Sequence, residues 1–127
     1  MKIVTLIARI LLGLEFLIFG LNGFLQFLHM PPPTGLAAQY FGVLFMSHYY
    51  IVIFLLQALG GVLLLLNRFV PLALTILGPV LVNILIFHVT MNPEGLPMAL
   101  VTFGLWLIVF LPVRRVFAPL LSARVSA

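Results

Sequence analysis

Cysteine is absent from this 127-residue chain, and charge is scarce: six lysines and arginines, two glutamates and no aspartate. Without cysteine there is no disulfide framework, no thiolate nucleophile, no Cys-ligated zinc and no iron–sulfur cluster. A soluble domain of this size needs a surface that is roughly a quarter charged. Here 6% of residues are charged and 65% are hydrophobic, so lipid must replace water as the solvent of most of the surface. Lys2 is the only lysine, and no basic patch with interleaved aromatics occurs, which argues against a nucleic-acid partner. No serine or threonine stands in a nucleophile motif and no Gly-rich phosphate loop is present. With no catalytic constellation in view, an enzyme is not the expected reading.

What the chain has in abundance is long apolar runs, at about residues 3–28, 49–66, 70–89 and 96–111. A helix crosses the hydrocarbon core with about 20 apolar residues, and roughly 17 is the lower bound. Strand-length alternation, the mark of a membrane barrel, does not appear. The expected fold is therefore all-α: one transmembrane domain over residues 1–127, a four-helix bundle. The first run is too long for the core of a signal peptide, contains Glu15 and precedes no small-residue cleavage site, so it reads as a retained helix.

The connections carry further information. Asn67-Arg68-Phe69 forces a tight turn, making the second and third helices antiparallel neighbours, and Pro71 suits the first turn of the third. Asn92-Pro93-Glu94-Gly95 is a turn signature. Between His29 and His48, the run Pro31-Pro32-Pro33 cannot be helical, but Tyr40 to Met46 is too apolar for a solvated loop and too short to span. A short interfacial helix is expected there. Lys2, Arg9, Arg68, Arg114, Arg115 and Arg124 all fall on one side of a four-crossing topology, while Glu94 falls on the other. The positive-inside rule then places both termini in the cytoplasm, in what we expect to be a bacterial inner membrane.

Polar groups in the hydrocarbon are costly and few enough to place singly. Glu15, Asn22 and Gln26 share one face of the first helix. Gln57 on the second helix is expected at the depth of Glu15, and Asn83 on the third at the depth of Asn22. The pairs Glu15–Gln57 and Asn22–Asn83 follow, either as structural hydrogen bonds between helices or as a pocket for a quinone or a lipid head group. Arg9 either snorkels to the head groups or pairs with Glu15, although positions six apart lie about 120° from facing each other. His29, His48 and His88 are all expected at the outer face. Three imidazoles at one depth suggest a metal or a tetrapyrrole. No two share a helix at i, i+4 and no carboxylate adjoins one, so no shared metal is expected, and His88 is the one ligand candidate. Gly13, Gly20, Gly23, Gly60, Gly61 and Gly78 mark close helix approach, and Gly78-Pro79 is expected to bend the third helix.

Several motifs in order resemble the DoxX-like family of small four-helix membrane proteins. They are Ala8-Arg9-Ile10-Leu11-Leu12-Gly13, Phe16 with Phe19 to Phe24, Leu59-Gly60-Gly61, Arg68 to Leu74, Pro79 to Ile84 with Phe87-His88, and Pro93 to Pro97. The resemblance spans about residues 6–110. Many relatives carry an acidic residue where this chain has Gln57. The family includes a subunit linked to thiosulfate:quinone oxidoreduction and members associated with oxidative-stress systems. The resemblance thus implies an accessory or stabilising subunit of a larger redox, quinone or pigment complex. Its alternative is a subunit taking direct part in quinone-linked oxidoreduction. Membrane lipids, other membrane subunits or further copies of the chain are the expected partners.

Overall fold

The computed structural model describes residues 1–125, so the C-terminus at Ala127, expected in the cytoplasm, lies outside the described residues. Those residues form five helices and no strand: α1 (Lys2–Leu25), α2 (Gly35–Met46), α3 (Tyr50–Leu65), α4 (Val70–Thr90) and α5 (Leu96–Phe110). A 3-10 turn, Pro93–Gly95, precedes α5, and a 3-10 segment, Leu111–Leu121, follows it. Three stretches are long and apolar enough to cross a membrane: Lys2–Leu25, Val70–Thr90 and Pro93–Leu121. A fourth appears if α2 and α3, bent by 91° at their junction, count as one span. Alone, the 16 residues of α3 rise about 24 Å, short of a typical hydrocarbon core of about 30 Å.

Helix limits follow local chemistry. The first helix ends at Leu25, three residues before the expected limit of 28. Gln26 takes the left-handed conformation (φ 50°), its N–H returns to Asn22 O, and the Leu28 N–H is captured by Asn22 Oδ1 at 2.8 Å. With its donors satisfied this way, the chain leaves the helix and enters the proline run. The α3–α4 turn is as tight as expected, and its sharp reversal requires Asn67 and Phe69 both at φ 54°. The segment after the prolines is helical from Gly35 onward, beginning before the apolar run Tyr40–Met46. Helix α4 runs through Pro79 without a break. Trp106 Nε1 on α5 donates to Leu74 O at 3.2 Å. That carbonyl adjoins Thr75 O, which Pro79 cannot serve with an N–H.

Each of α1, α3, α4 and α5 packs on two others: α1 and α4 both lie against α3 and α5. The α1–α3 contact is the closest. A methyl group built on Gly20 would stand 2.6 Å from Ala58 N, and one on Gly61 would stand 2.5 Å from Leu17 N. Gly13 faces Leu65 and Gly23 faces the Phe54 ring, which fixes an antiparallel register. Gly60 receives the Leu77 side chain from α4. Ala8, Leu12, Phe16, Leu64, Ala73, Leu74, Leu77, Val80 and Val109 fill the interior, mostly toward the end that holds Lys2 and Arg68.

Replacing Gly20 or Gly61 by leucine should therefore destabilise the fold by about 1–3 kcal/mol or more through overpacking. Gly104, with nothing within 4 Å of an added methyl, should accept alanine neutrally or gain up to about 1 kcal/mol of helix propensity. Denaturant-induced unfolding in detergent, followed by the fluorescence of the single tryptophan, distinguishes the two. Equal losses at Gly20 and Gly104 would contradict the register.

Candidate functional site

The polar residues singled out in the sequence divide among separate partners. Glu15, half-buried on α1, accepts a hydrogen bond from Thr102 Oγ1 on α5, and the same hydroxyl lies 3.1 Å from Met98 O. Gln57 is 6% exposed on α3. The expected Glu15–Gln57 pair is corrected by the helix register. Gly13 lies against Gly61 and Leu65, and Gly20 against Ala58 and Phe54, so Gln57 is level with Gly20. Glu15 sits about a turn or more deeper toward the basic end, which is about 6–9 Å along the axis.

The expected Asn22–Asn83 pair is also replaced. Their common depth is consistent with the contacts Gly23–Phe54 and Gly60–Leu77, which bring both level with Phe54 or Leu55. However, α1 and α4 stand diagonally, each packed on α3 and α5, so equal depth does not bring them together. Asn22 Oδ1 instead accepts from Leu28 N. Asn83 Nδ2 donates to the Tyr40 hydroxyl at 3.1 Å, tying α4 to α2. Gln26 is exposed and serves as the left-handed end of α1.

Arg9 follows neither expected course. Its guanidinium Nη1 donates to Leu64 O and lies 3.4 Å from Leu65 O. These carbonyls close α3, where the helix supplies no further donors and only the Asn67 N–H also reaches Leu64 O, and a cation at a helix C-terminus meets the negative end of its dipole. Thus Arg9 joins α1 to the end of α3.

His88 Nδ1 lies 2.8 Å from Ile84 O, one turn back on its own helix, and the ring covers Gly95. A methyl group on Gly95 would collide with that ring, so the glycine lets the α4–α5 connection close over it. His48 occupies a left-handed position (φ 64°) beside Tyr50, and His29 is exposed in the segment after α1. Among the described residues no three histidines, cysteines or acidic residues are arranged to hold a metal. Around His88 the sequence conceals a larger feature, a continuous set of rings linking three helices. Tyr40 and Phe41 of α2 pack on Phe87 of α4, each with centroids 5.3 Å apart. Phe45 of α2 stacks on Tyr50 of α3 at 4.6 Å, and Phe87 meets His88 edge-on at 5.1 Å.

Two open grooves face outward. One, of about 130 Å³, lies between α4 and α5 and is lined by Gly78, Leu81, Val82, Phe103 and Trp106. The other, of about 440 Å³, runs from the end of α5 along the Leu111–Leu121 segment, with Arg114 in an otherwise apolar wall.

Thr102 and Tyr40 were not legible as partners. A threonine within an apolar helix usually bonds the carbonyl four residues back, as Thr102 also does toward Met98. Tyr40 reads as one more interfacial aromatic. Comparison with family models, with curated proteins and with solved structures returns no match for this chain.

A double-mutant cycle separates these contacts. Glu15→Gln and Thr102→Val should couple by about 0.6 kcal/mol, the average for a hydrogen bond in a membrane. Asn22→Leu and Asn83→Leu should be additive to within about 0.5 kcal/mol, because they share no partner. Coupling between the two asparagines would contradict the diagonal placement of α1 and α4.

Proposed function

We propose that this chain is an accessory or stabilising subunit of a larger membrane complex. In this reading it forms a four-helix transmembrane bundle in a bacterial inner membrane, with α2 at the interface and both termini cytoplasmic. The observation that carries the reading is how the polar groups within the helices are used. Glu15, Asn22, Asn83, Arg9 and His88 each bond a different backbone or side-chain partner within the chain. Groups so committed stitch helices and helix ends together and fix a rigid scaffold. A substrate-transforming site would instead aim them at a common point. Three helical stretches of spanning length and the bent α2–α3 pair support the membrane setting. The motifs similar to DoxX-like proteins suggest redox, quinone or pigment chemistry for the complex as a whole.

Purification from native membranes in mild detergent tests the proposal. Stoichiometric co-migration with a multisubunit assembly carrying redox centres or pigments is expected. An isolated homo-oligomer with bound quinone would overturn it and favour direct participation in quinone-linked oxidoreduction.

The orientation has its own test. Single cysteines at Thr34 and Ser122, both exposed positions, should differ in labelling by an impermeant maleimide in intact cells: Thr34→Cys reacts and Ser122→Cys reacts only after permeabilisation. The reverse pattern would invert the proposed topology.

A further inference from the structure

The end of the molecule that gathers its cations also carries a groove of unusual composition. Lys2 begins α1, Arg68 lies two residues before α4, and Arg114 and Arg115 lie in the Leu111–Leu121 segment that follows α5. The antiparallel packing of α1 on α3, and the turns joining α3 to α4 and α4 to α5, place these four at the same end. The two glutamates lie elsewhere, Glu15 within α1 and Glu94 in the turn at the opposite end. At the basic end, the Leu111–Leu121 segment continues α5 within the one span Pro93–Leu121 and touches α4, with Val113 and Phe117 packed on the core.

Along this segment, from the end of α5, runs the open groove lined by Phe110, Arg114, Phe117, Ala118, Leu120 and Leu121. Arg114 is its one charged lining residue. Nη1 donates to Leu111 O at 2.6 Å, which ties down one side of the guanidinium and leaves other N–H donors for a further acceptor. The walls continue as a ladder of rings: Phe117 on Phe110 at 5.2 Å, then Phe110 stacked on Trp106 at 5.1 Å and 12°. From Arg114 to Trp106 the helix-equivalent rise is about 12 Å, the scale of an extended acyl chain segment. Leu120 and Leu121 expose 74% and 88% of their surface beside this groove, which water would not solvate favourably.

We propose that this groove binds an anionic phospholipid, with the phosphate at Arg114 and one acyl chain along Phe117, Phe110 and Trp106. The single guanidinium in an apolar channel matches a molecule that has one anionic group on an apolar chain. Arg115, Arg68 and Lys2 add a positive field that favours anionic over neutral lipid. The proposal rests on the membrane setting but not on the accessory role, so it can fail while co-purification of a complex succeeds.

The single tryptophan supplies the probe. The purified full-length protein is reconstituted into phosphatidylcholine vesicles containing equal fractions of chain-brominated phosphatidylglycerol or chain-brominated phosphatidylcholine, and quenching of Trp106 is compared. The anionic lipid should quench more strongly, with an association at least about fivefold that of the neutral lipid. Replacing Arg114 and Arg115 together by glutamine should remove most of that preference. The corresponding lysine pair, which keeps the charge and checks the fold, should retain it largely. Glutamine at Lys2 and Arg68 should cost less than at Arg114 and Arg115. Equal quenching of the wild-type protein by the two lipids would overturn the proposal. So would a loss from the Lys2 and Arg68 pair as large as that from Arg114 and Arg115, because a diffuse surface charge would then suffice.

Discussion

Helices α1 and α3 touch backbone to backbone, and the placement of everything else follows from that contact. Gly20 lies against Ala58 and Phe54, and Gly61 lies against Leu17 and Gly13, with no room for a side chain at either glycine. In lipid the association of helices gains little from hydrophobic burial, because the acyl chains are as apolar as leucine. Close van der Waals fit between small residues is what remains. Once that fit is made, register and direction are fixed together. Arg9 reaches the last carbonyls of α3 only because the two helices are antiparallel and level at that point. The tight turn through Asn67 and Phe69 then returns α4 along the other side of α3, where Leu77 fills the space over Gly60.

The interior has two halves of different character. Toward the basic end it is aliphatic, with Leu12, Leu64, Leu74 and Leu77 fully enclosed. Toward the other end it is aromatic, and α2 joins α3 and α4 through ring contacts and the Asn83–Tyr40 hydrogen bond. Interlocked aliphatic side chains on close helices resist deformation. Helix α2, anchored by rings rather than by close backbone approach, belongs to the less protected part of the structure.

Much of this was legible in the residue order. Four apolar runs, the Asn67–Phe69 and Asn92–Gly95 turns, and the helix after the proline run all reflect local chemistry, and each appears within a few residues of its expected place. Depth was legible too where it depended on counting along helices, as for Asn22 and Asn83. What the chain order did not reveal was which helices stand next to which. Asn22 and Asn83 are level but diagonal, whereas Glu15 finds Thr102 on α5, the last helix to be added. Gln57 was misplaced relative to Glu15 because the register of α1 on α3 is set by glycine fit, which slides the pair by about a turn from the estimate based on helix ends.

The same distinction explains why polar residues in this chain read so readily as a ligand pocket. A polar side chain in hydrocarbon must find a partner, whether a ligand, another side chain or an unpaired backbone carbonyl. Composition and spacing describe the need and not its resolution. Here the backbone itself offers many acceptors. The end of α3 takes Arg9, the helical carbonyls of Ile84 and Ile86 in α4 meet His88 and Thr90, and Leu74 O, next to the carbonyl that Pro79 leaves free, takes Trp106. Acceptors of this kind arise at helix ends, next to prolines and wherever a helical carbonyl has a second lone pair to offer. A small helical membrane protein with several such places can therefore satisfy most of its polar residues internally. Arg114, held to Leu111 O at the rim of an apolar groove, combines such an internal bond with donors left for a phosphate.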